Sequence, residues 1–248
     1  MNILCVIPAR YASSRLPGKP LIKLADKPMI QHVYEKAKLA KRPDEVLVAT
    51  DNELVAQAVE GFGGKVIMTS PQHATGTDRL AEVATRYENV DVVVNVQGDE
   101  PLIVPTVIDQ LAEVFDNAST DTVMATLKTD MDEAEYDNPA AVKVVTDLNG
   151  YALYFSRSLV PFPRVRHDEL AIFKHIGVYA YRRDFLLKYA ALPSTPLERA
   201  ESLEQLRVLE HGYRIKVLKT DFRSVGVDTP EDAKLVNEIL MREGGPSK

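Results

Sequence analysis

Short apolar runs that alternate with amphipathic segments constrain this chain most. Residues 3–7 (ILCVI), 45–49 (EVLVA) and 65–68 (KVIM) have the length and β-branched content of buried strands. Between them, Met29, Ile30, Val33, Tyr34 and Ala37 recur at helical spacing, and so do Leu54, Val55, Ala58, Val59 and Phe62. Thr50-Asp51-Asn52 supplies caps for the second helix and Gly63-Gly64 ends it. Strand, helix, strand, helix, strand predicts an α/β fold, a parallel sheet with helices on its faces. The valine-rich stretch 91–96 predicts a strand at the sheet centre.

Further along, 107–115 reads as a helix and 122–127 as a strand. The alternation then breaks at Asn149-Gly150, a strong hairpin signal flanked by apolar runs at 142–146 and 151–156. A small antiparallel insert is therefore expected around 140–182, covering the site or joining subunits, on an otherwise single domain. In the strand 172–181, alternation puts Phe173, His175, Gly177 and Tyr179 on one face and Ile176 and Val178 on the other. One helix is expected from residue 197 to Gly212. A last helix starts at Thr229-Pro230, with Leu235, Val236, Ile239 and Leu240 as its apolar stripe.

Composition narrows the function classes. The 248 residues are 45% hydrophobic, enough for one sizeable core. A net charge of −6 argues against a nucleic-acid footprint, which would be basic. A single cysteine, Cys5, sits in the first strand, allows no internal disulfide and fits a reducing compartment. No apolar run reaches the ~18–20 residues that span a bilayer. The opening run is short and ends at Pro8, unlike a signal peptide. A cytoplasmic enzyme or binding protein is expected.

The chemistry concentrates at strand ends. After the first strand, Arg10, Arg15 and Lys19 stand beside Ser13, Ser14 and Gly18, at the edge of an open α/β sheet where ligands bind. Three cations there suit a polyanion, because Arg and Lys pair with phosphate; a solvated surface loop is the plainer alternative. Gly18-Lys19 is followed by Pro20, so a Walker loop is excluded, and no G-x-G-x-x-G follows the strand. The loop 69–79 (TSPQHATGTDR) fits two readings, a base-recognising loop and a plain helix cap. The valine strand runs into Gln97-Gly98-Asp99-Glu100-Pro101. Carboxylates at that edge could hold magnesium beside substrate phosphates or simply make a turn.

IPARYASSRLPGKPL (7–21), HATGTDRLAEV (73–83), NVQGDEPLI (95–103), ALYFSRS (152–158), KHIGVYAYR (174–182), ESLEQLR (201–207) and VGVDTPEDA (225–233) stand in order along most of the chain. Together they resemble the 3-deoxy-manno-octulosonate (Kdo) cytidylyltransferases. Relatives that activate sialic acids share the first block but lack the QGDEP and HIG-Y-YR wording. The resemblance implies a mixed, mostly parallel seven-stranded sheet with helices on both faces, working as a homodimer. It implies that Arg10, Ser13, Ser14, Arg15 and Lys19 hold the CTP triphosphate, and that Thr77, Arg79 and Gln97 read cytosine. It implies magnesium on Asp99 and Asp228. Sugar contacts fall on Arg157, Arg164, His175, Tyr179, Glu204 and Gln205. Phe162 stands near where that family commonly has Tyr, which removes a hydroxyl near the sugar's tail.

The reaction so implied is attack of the anomeric hydroxyl of Kdo on the α-phosphorus of CTP, giving CMP-Kdo and pyrophosphate for lipopolysaccharide synthesis. Arg15, Lys19, Asp99 and Asp228 are its candidate catalytic residues. Such chemistry needs positioning and charge neutralisation more than a covalent nucleophile. An amino-substituted Kdo or a sialic acid is the alternative substrate. A nicotinamide oxidoreductase lacks its glycine fingerprint, and a non-catalytic nucleotide-sugar module has no need of acids at both 99 and 228.

Overall fold

The computed structural model describes residues 1–12, 16–73, 75–116, 119, 121–165 and 171–243. Its first half runs β1 (Ile3–Ala9), a small ribbon of β2 (Lys23–Leu24) and β3 (Lys27–Pro28), α1 (Met29–Lys38), β4 (Glu45–Thr50), α2 (Glu53–Gly61), β5 (Val66–Met68), α3 (Gly76–Arg86), β6 (Val92–Asn95) and α4 (Pro105–Glu113). The second half holds β7 (Thr122–Asp130), β8 (Lys143–Thr146), β9 (Ala152–Ser156), β10 (Phe173–Arg182), α5 (Arg183–Ala191), α6 (Pro196–Glu201), α7 (Gln205–Glu210), β11 (Arg214–Lys219) and α8 (Pro230–Glu243).

Seven strands form a mixed sheet in the order β11-β7-β10-β6-β1-β4-β5. The pairs β1·β4, β1·β6, β4·β5 and β7·β11 are parallel, whereas β10 runs antiparallel to both β6 and β7. Alternation along β1 sends Ile3, Cys5 and Ile7 into one core with α1, α2 and α4. Leu4 and Val6 enter a second core with α3, α5 and α7. Both faces of the sheet are therefore covered, which is why its inner strands read as unbroken apolar runs. Local chemistry sets the helix starts. Asn52 Oδ1 accepts from the amides of Leu54 and Val55, and Thr75 and Asp78 form a reciprocal capping box on α3.

Four features differ from the sequence pattern. The hairpin β8–β9 is present and pairs with β10 at Lys143–Lys174, but β10 itself is an inner strand of the main sheet rather than part of an insert. Helix α5, unassigned from the pattern, follows β10 directly and packs in the second core. The single helix expected from residue 197 is two, α6 and α7, broken at Ser202, which takes a left-handed φ of 51°. Leu235 of α8 is half exposed, while Val236 and Leu240 carry the buried stripe.

The break is held by one ion pair. Arg207 of α7 donates from Nε to Glu198 Oε2 at 2.9 Å and from Nη2 to Oε1 of the same carboxylate on α6. Both side chains are nearly enclosed, at 12% and 9% exposure. Removing one partner strands a buried charge, which typically costs about 3–5 kcal/mol. Glu198→Ala should therefore lower unfolding stability by that order in a urea titration; a loss below about 1 kcal/mol would mean that the pair does not brace the break.

Candidate active site

The site lies where the chain turns in two directions from β1. One branch continues to β4 and β5, the other neighbour is β6, and the carboxyl ends of β1 and β6 open a crevice between them. A cavity of about 420 Å³ there is walled by Pro8, Ala9, Arg10 and Ala12 after β1, by Lys19 and Pro20, by Gln97, Gly98 and Asp99 after β6, and by Asp228. Two glycines make this close assembly feasible. Gly18 takes a left-handed φ of 67° before the short turn carrying Lys19, and its amide closes the loop on Tyr11 O at 3.2 Å. Gly98 lies so close to β1 that a Cβ would sit 2.7 Å from the Pro8 carbonyl oxygen.

Lys19 joins the acids. Its Nζ donates to Asp99 Oδ2 at 2.6 Å and to Asp228 Oδ1 at 2.8 Å. Burial works against its charge, yet the two carboxylates outweigh burial and hold Lys19 above the ordinary lysine range. Asp228 is fixed from behind by Asp232, whose Oδ2 accepts from the Asp228 and Thr229 amides at the start of α8. Arg10 Nη2 is buried without a hydrogen-bond partner among the described residues. An unpaired guanidinium nitrogen in the wall of a cleft suits an incoming phosphate oxygen.

A second cavity of about 240 Å³ adjoins the first and shares Gly76 and Gln97 with it. Its wall includes Thr77, Asn95, Tyr179, Tyr181, Tyr189, Ser202, Glu204 and Gln205. Tyr179, Tyr181 and Tyr189 form a row with successive ring centroids 5.9 and 6.2 Å apart. Thr77 Oγ1 donates to Glu204 Oε2 at 2.8 Å, and the Tyr189 hydroxyl donates to the Glu204 carbonyl at 2.7 Å. Burial raises Glu204 above the usual carboxylate range despite the Thr77 bond. Gln97 Nε2 reaches Gly177 O at 3.2 Å, bridging the β6 end to β10.

The structure thus gathers Arg10, Lys19, Gln97, Asp99 and Asp228 around one cavity, and Thr77, Gln97, Tyr179, Glu204 and Gln205 around the next. Ser13, Ser14 and Arg15 lie outside the described residues. Four expected contacts do not line either cavity. Arg79 is fully buried and committed to Asp51 at 2.9 Å and to Thr69, so it anchors the base of α3 instead of facing a base. Arg157 is spent on the carbonyls of Pro139, Glu201 and Ser202, bracing the turn after α6. Arg164 is exposed on the segment after β9. His175 stands behind Tyr179, with Nε2 3.0 Å from Thr126 Oγ1 and its ring edge-on to Phe155.

Sequence reasoning missed Asn95, Tyr181 and Tyr189. Tyr181 follows Tyr179 by two positions on β10, so period-two alternation carries a signal for it. Tyr189 sits on α5 and had none. Among the described residues no three His, Cys, Asp or Glu side chains group as a metal site. Asp99 and Asp228 alone, both oxygen donors beside a cleft fit for phosphates, nevertheless match how magnesium is usually held, by one or two carboxylates plus substrate phosphates.

A family model described as cytidylyltransferase matches residues 4–216. A 3-deoxy-manno-octulosonate cytidylyltransferase from Geobacter sulfurreducens is 53% identical, over 97% of this chain and all of that one. An 8-amino-3,8-dideoxy-manno-octulosonate cytidylyltransferase from Shewanella baltica is 52% identical, over 97% of this chain and 99% of its own. A solved CMP:2-keto-3-deoxy-manno-octonic acid synthetase, complexed with CTP, superposes with a TM-score of 0.93 at 46% identity, covering 98% of this chain and all of that one.

Burial lowers the His175 imidazole to about 3, so it is neutral at physiological pH. In the unfolded chain it titrates at about 6.5. Between those values the unfolded state binds the extra proton, so stability is lost as pH falls through that window. Thermal unfolding followed by circular dichroism from about pH 7.5 down to about 4.5 should show a shallower fall for His175→Gln than for the wild type. Equal slopes would place His175 in a solvated setting.

Proposed function

The chain belongs to the cytidylyltransferase family, and from that premise we propose that it transfers CMP from CTP to the anomeric hydroxyl of Kdo, giving CMP-Kdo and pyrophosphate. The observation that carries this reading is the pair of cavities joined at Gly76 and Gln97. The first offers cations and two acids for a metal-bound triphosphate; the second offers hydroxyls, amides and ring faces for a sugar. A new bond forms from the anomeric oxygen to the α-phosphorus, the bond to the pyrophosphate oxygen breaks with its electron pair leaving on pyrophosphate, and the hydroxyl proton passes to solvent water.

Arg10 and Lys19 bind phosphate oxygens and neutralise charge on the departing pyrophosphate. Asp99 and Asp228 are the residues to hold magnesium, which when bound polarises the phosphate as a Lewis acid. Among the described residues lining the second cavity there is one carboxylate, Glu204, and no cation. The acid's own carboxylate is attached next to the anomeric carbon. It therefore faces Gln97 and the cationic first cavity, and the hydroxylated tail faces the tyrosines and Glu204. Thr77, expected against cytosine, lines the second cavity beside Glu204 instead, and with Gln205 and the tyrosine hydroxyls it orients that tail, which is how a cleft turns binding into alignment.

The amino-substituted sugar is a second reading with its own support: the Shewanella relative is nearly as similar, and Glu204 could meet an ammonium group. A cytoplasmic setting, a homodimer and a role in lipopolysaccharide synthesis belong to the same proposal. Among the described residues no helix is long and apolar enough to cross a membrane. Exposed Leu153, Phe162 and Val165 on and beside the β9 hairpin offer an apolar surface for a second copy.

The test is pyrophosphate release with magnesium and Kdo, offering CTP, UTP, ATP and GTP in turn, then 8-amino-Kdo and a sialic acid with CTP. Release with CTP and Kdo, abolished by EDTA, is the expected outcome. A clear preference for the amino sugar would shift the substrate, and silence with every acidic sugar would overturn the transferase reading.

A further inference from the structure

Asp99 and Glu100 are adjacent acids, yet the structure separates them. Asp99 lines the nucleotide cavity. Glu100 is turned behind it, with 9% of its surface exposed, and its Oε1 accepts from the Ser224 hydroxyl. Its Oε2 has no hydrogen-bond partner among the described residues. Burying a carboxylate this way is costly. The turn does not need it, since the Glu100 amide already donates to Gln97 O at 3.2 Å and the Ile103 amide to Glu100 O at 3.0 Å through the backbone. The side chain is explained by what it touches.

It touches the segment that carries the second acid. Residues 220–229 leave β11 without regular structure and deliver Asp228 to the start of α8. The Val227 amide donates to Asp99 O at 2.9 Å, one residue before Asp228. Ser224 meets Glu100 three residues earlier, and a Cβ on Gly226 would sit 3.5 Å from Glu100 Oε1. The β6 exit and the Asp228 segment are thus pinned together at two points, one of them a side-chain latch.

We propose that Glu100 is a positioning residue, which through Ser224 sets the spacing of Asp99 and Asp228 for the metal-bound triphosphate. This rests on the reading of Asp99 and Asp228 as the metal-holding pair. Outer contacts of that kind typically change metal affinity or activity 10–100-fold when removed.

The test is manganese binding in the presence of CTP, followed by electron paramagnetic resonance of free Mn²⁺, with melting temperature and steady-state kinetics alongside. Glu100→Ala and Ser224→Ala should each weaken Mn²⁺ binding about tenfold and raise the magnesium KM. The CTP KM at saturating metal should stay within about twofold, and Glu100→Gln, which still accepts from Ser224, should bind Mn²⁺ nearly as the wild type. Unchanged Mn²⁺ affinity in Glu100→Ala and Ser224→Ala overturns the proposal. So does a Glu100→Ala protein that loses metal only together with its melting temperature while Ser224→Ala keeps it. Equal loss in Glu100→Gln assigns the effect to charge and also overturns the latch. Asp99→Asn is the control: if it too binds Mn²⁺ normally, the metal reading fails rather than the positioning role.

Discussion

One charge cluster draws together segments that are remote in the chain. Lys19 comes from the loop after β1, Asp99 from the end of β6 and Asp228 from the approach to α8, and the lysine bonds both acids within 2.8 Å. Without the lysine, two carboxylates that both reach one Nζ position would face each other as uncompensated like charges. The cluster sits where a parallel sheet opens at the carboxyl ends of neighbouring strands, so the sheet supplies the place and the loops supply the chemistry.

The rest of the site depends on backbone fitting closely around that cluster. Gly98 passes the end of β1 at a distance no side chain would tolerate, and Gly18 turns the first loop back through a left-handed conformation. On the other side, the break at Ser202 redirects α7, bringing Glu204 to the cavity wall and burying Gln205. An unbroken helix would have presented residues 201, 204 and 205 along one surface stripe. The Glu198–Arg207 pair and the Arg157 donations to nearby carbonyls keep that redirected segment in place.

Much of this was legible in the sequence. Strand and helix periodicity gave the alternating layers, because burial on both faces of a sheet leaves unbroken β-branched runs. Lys19 and Asp99 were visible as chemistry at strand ends. Asp228 was not, since nothing local marks an acid before a helix cap as the partner of one 129 positions earlier; only resemblance pointed to it. The arginines were the least legible. A sequence shows that Arg79 and Arg157 carry charge, but not that an internal aspartate and a set of backbone carbonyls have already claimed it. The split of the 197–212 helix was hidden for a related reason. Ser202 has no strong helix-breaking character, and the left-handed turn is imposed by tertiary contacts that outweigh a weak local preference.

The two cavities form one active site only if the acid pair marks its nucleotide end. Anomalous diffraction at the manganese edge, from crystals grown with CTP and Mn²⁺, tests that directly. The expected result is a manganese peak in contact with the carboxylates of Asp99 and Asp228, and the triphosphate beside Arg10 and Lys19. A peak touching neither carboxylate, or a triphosphate seated away from the β1 and β6 strand ends, would contradict it.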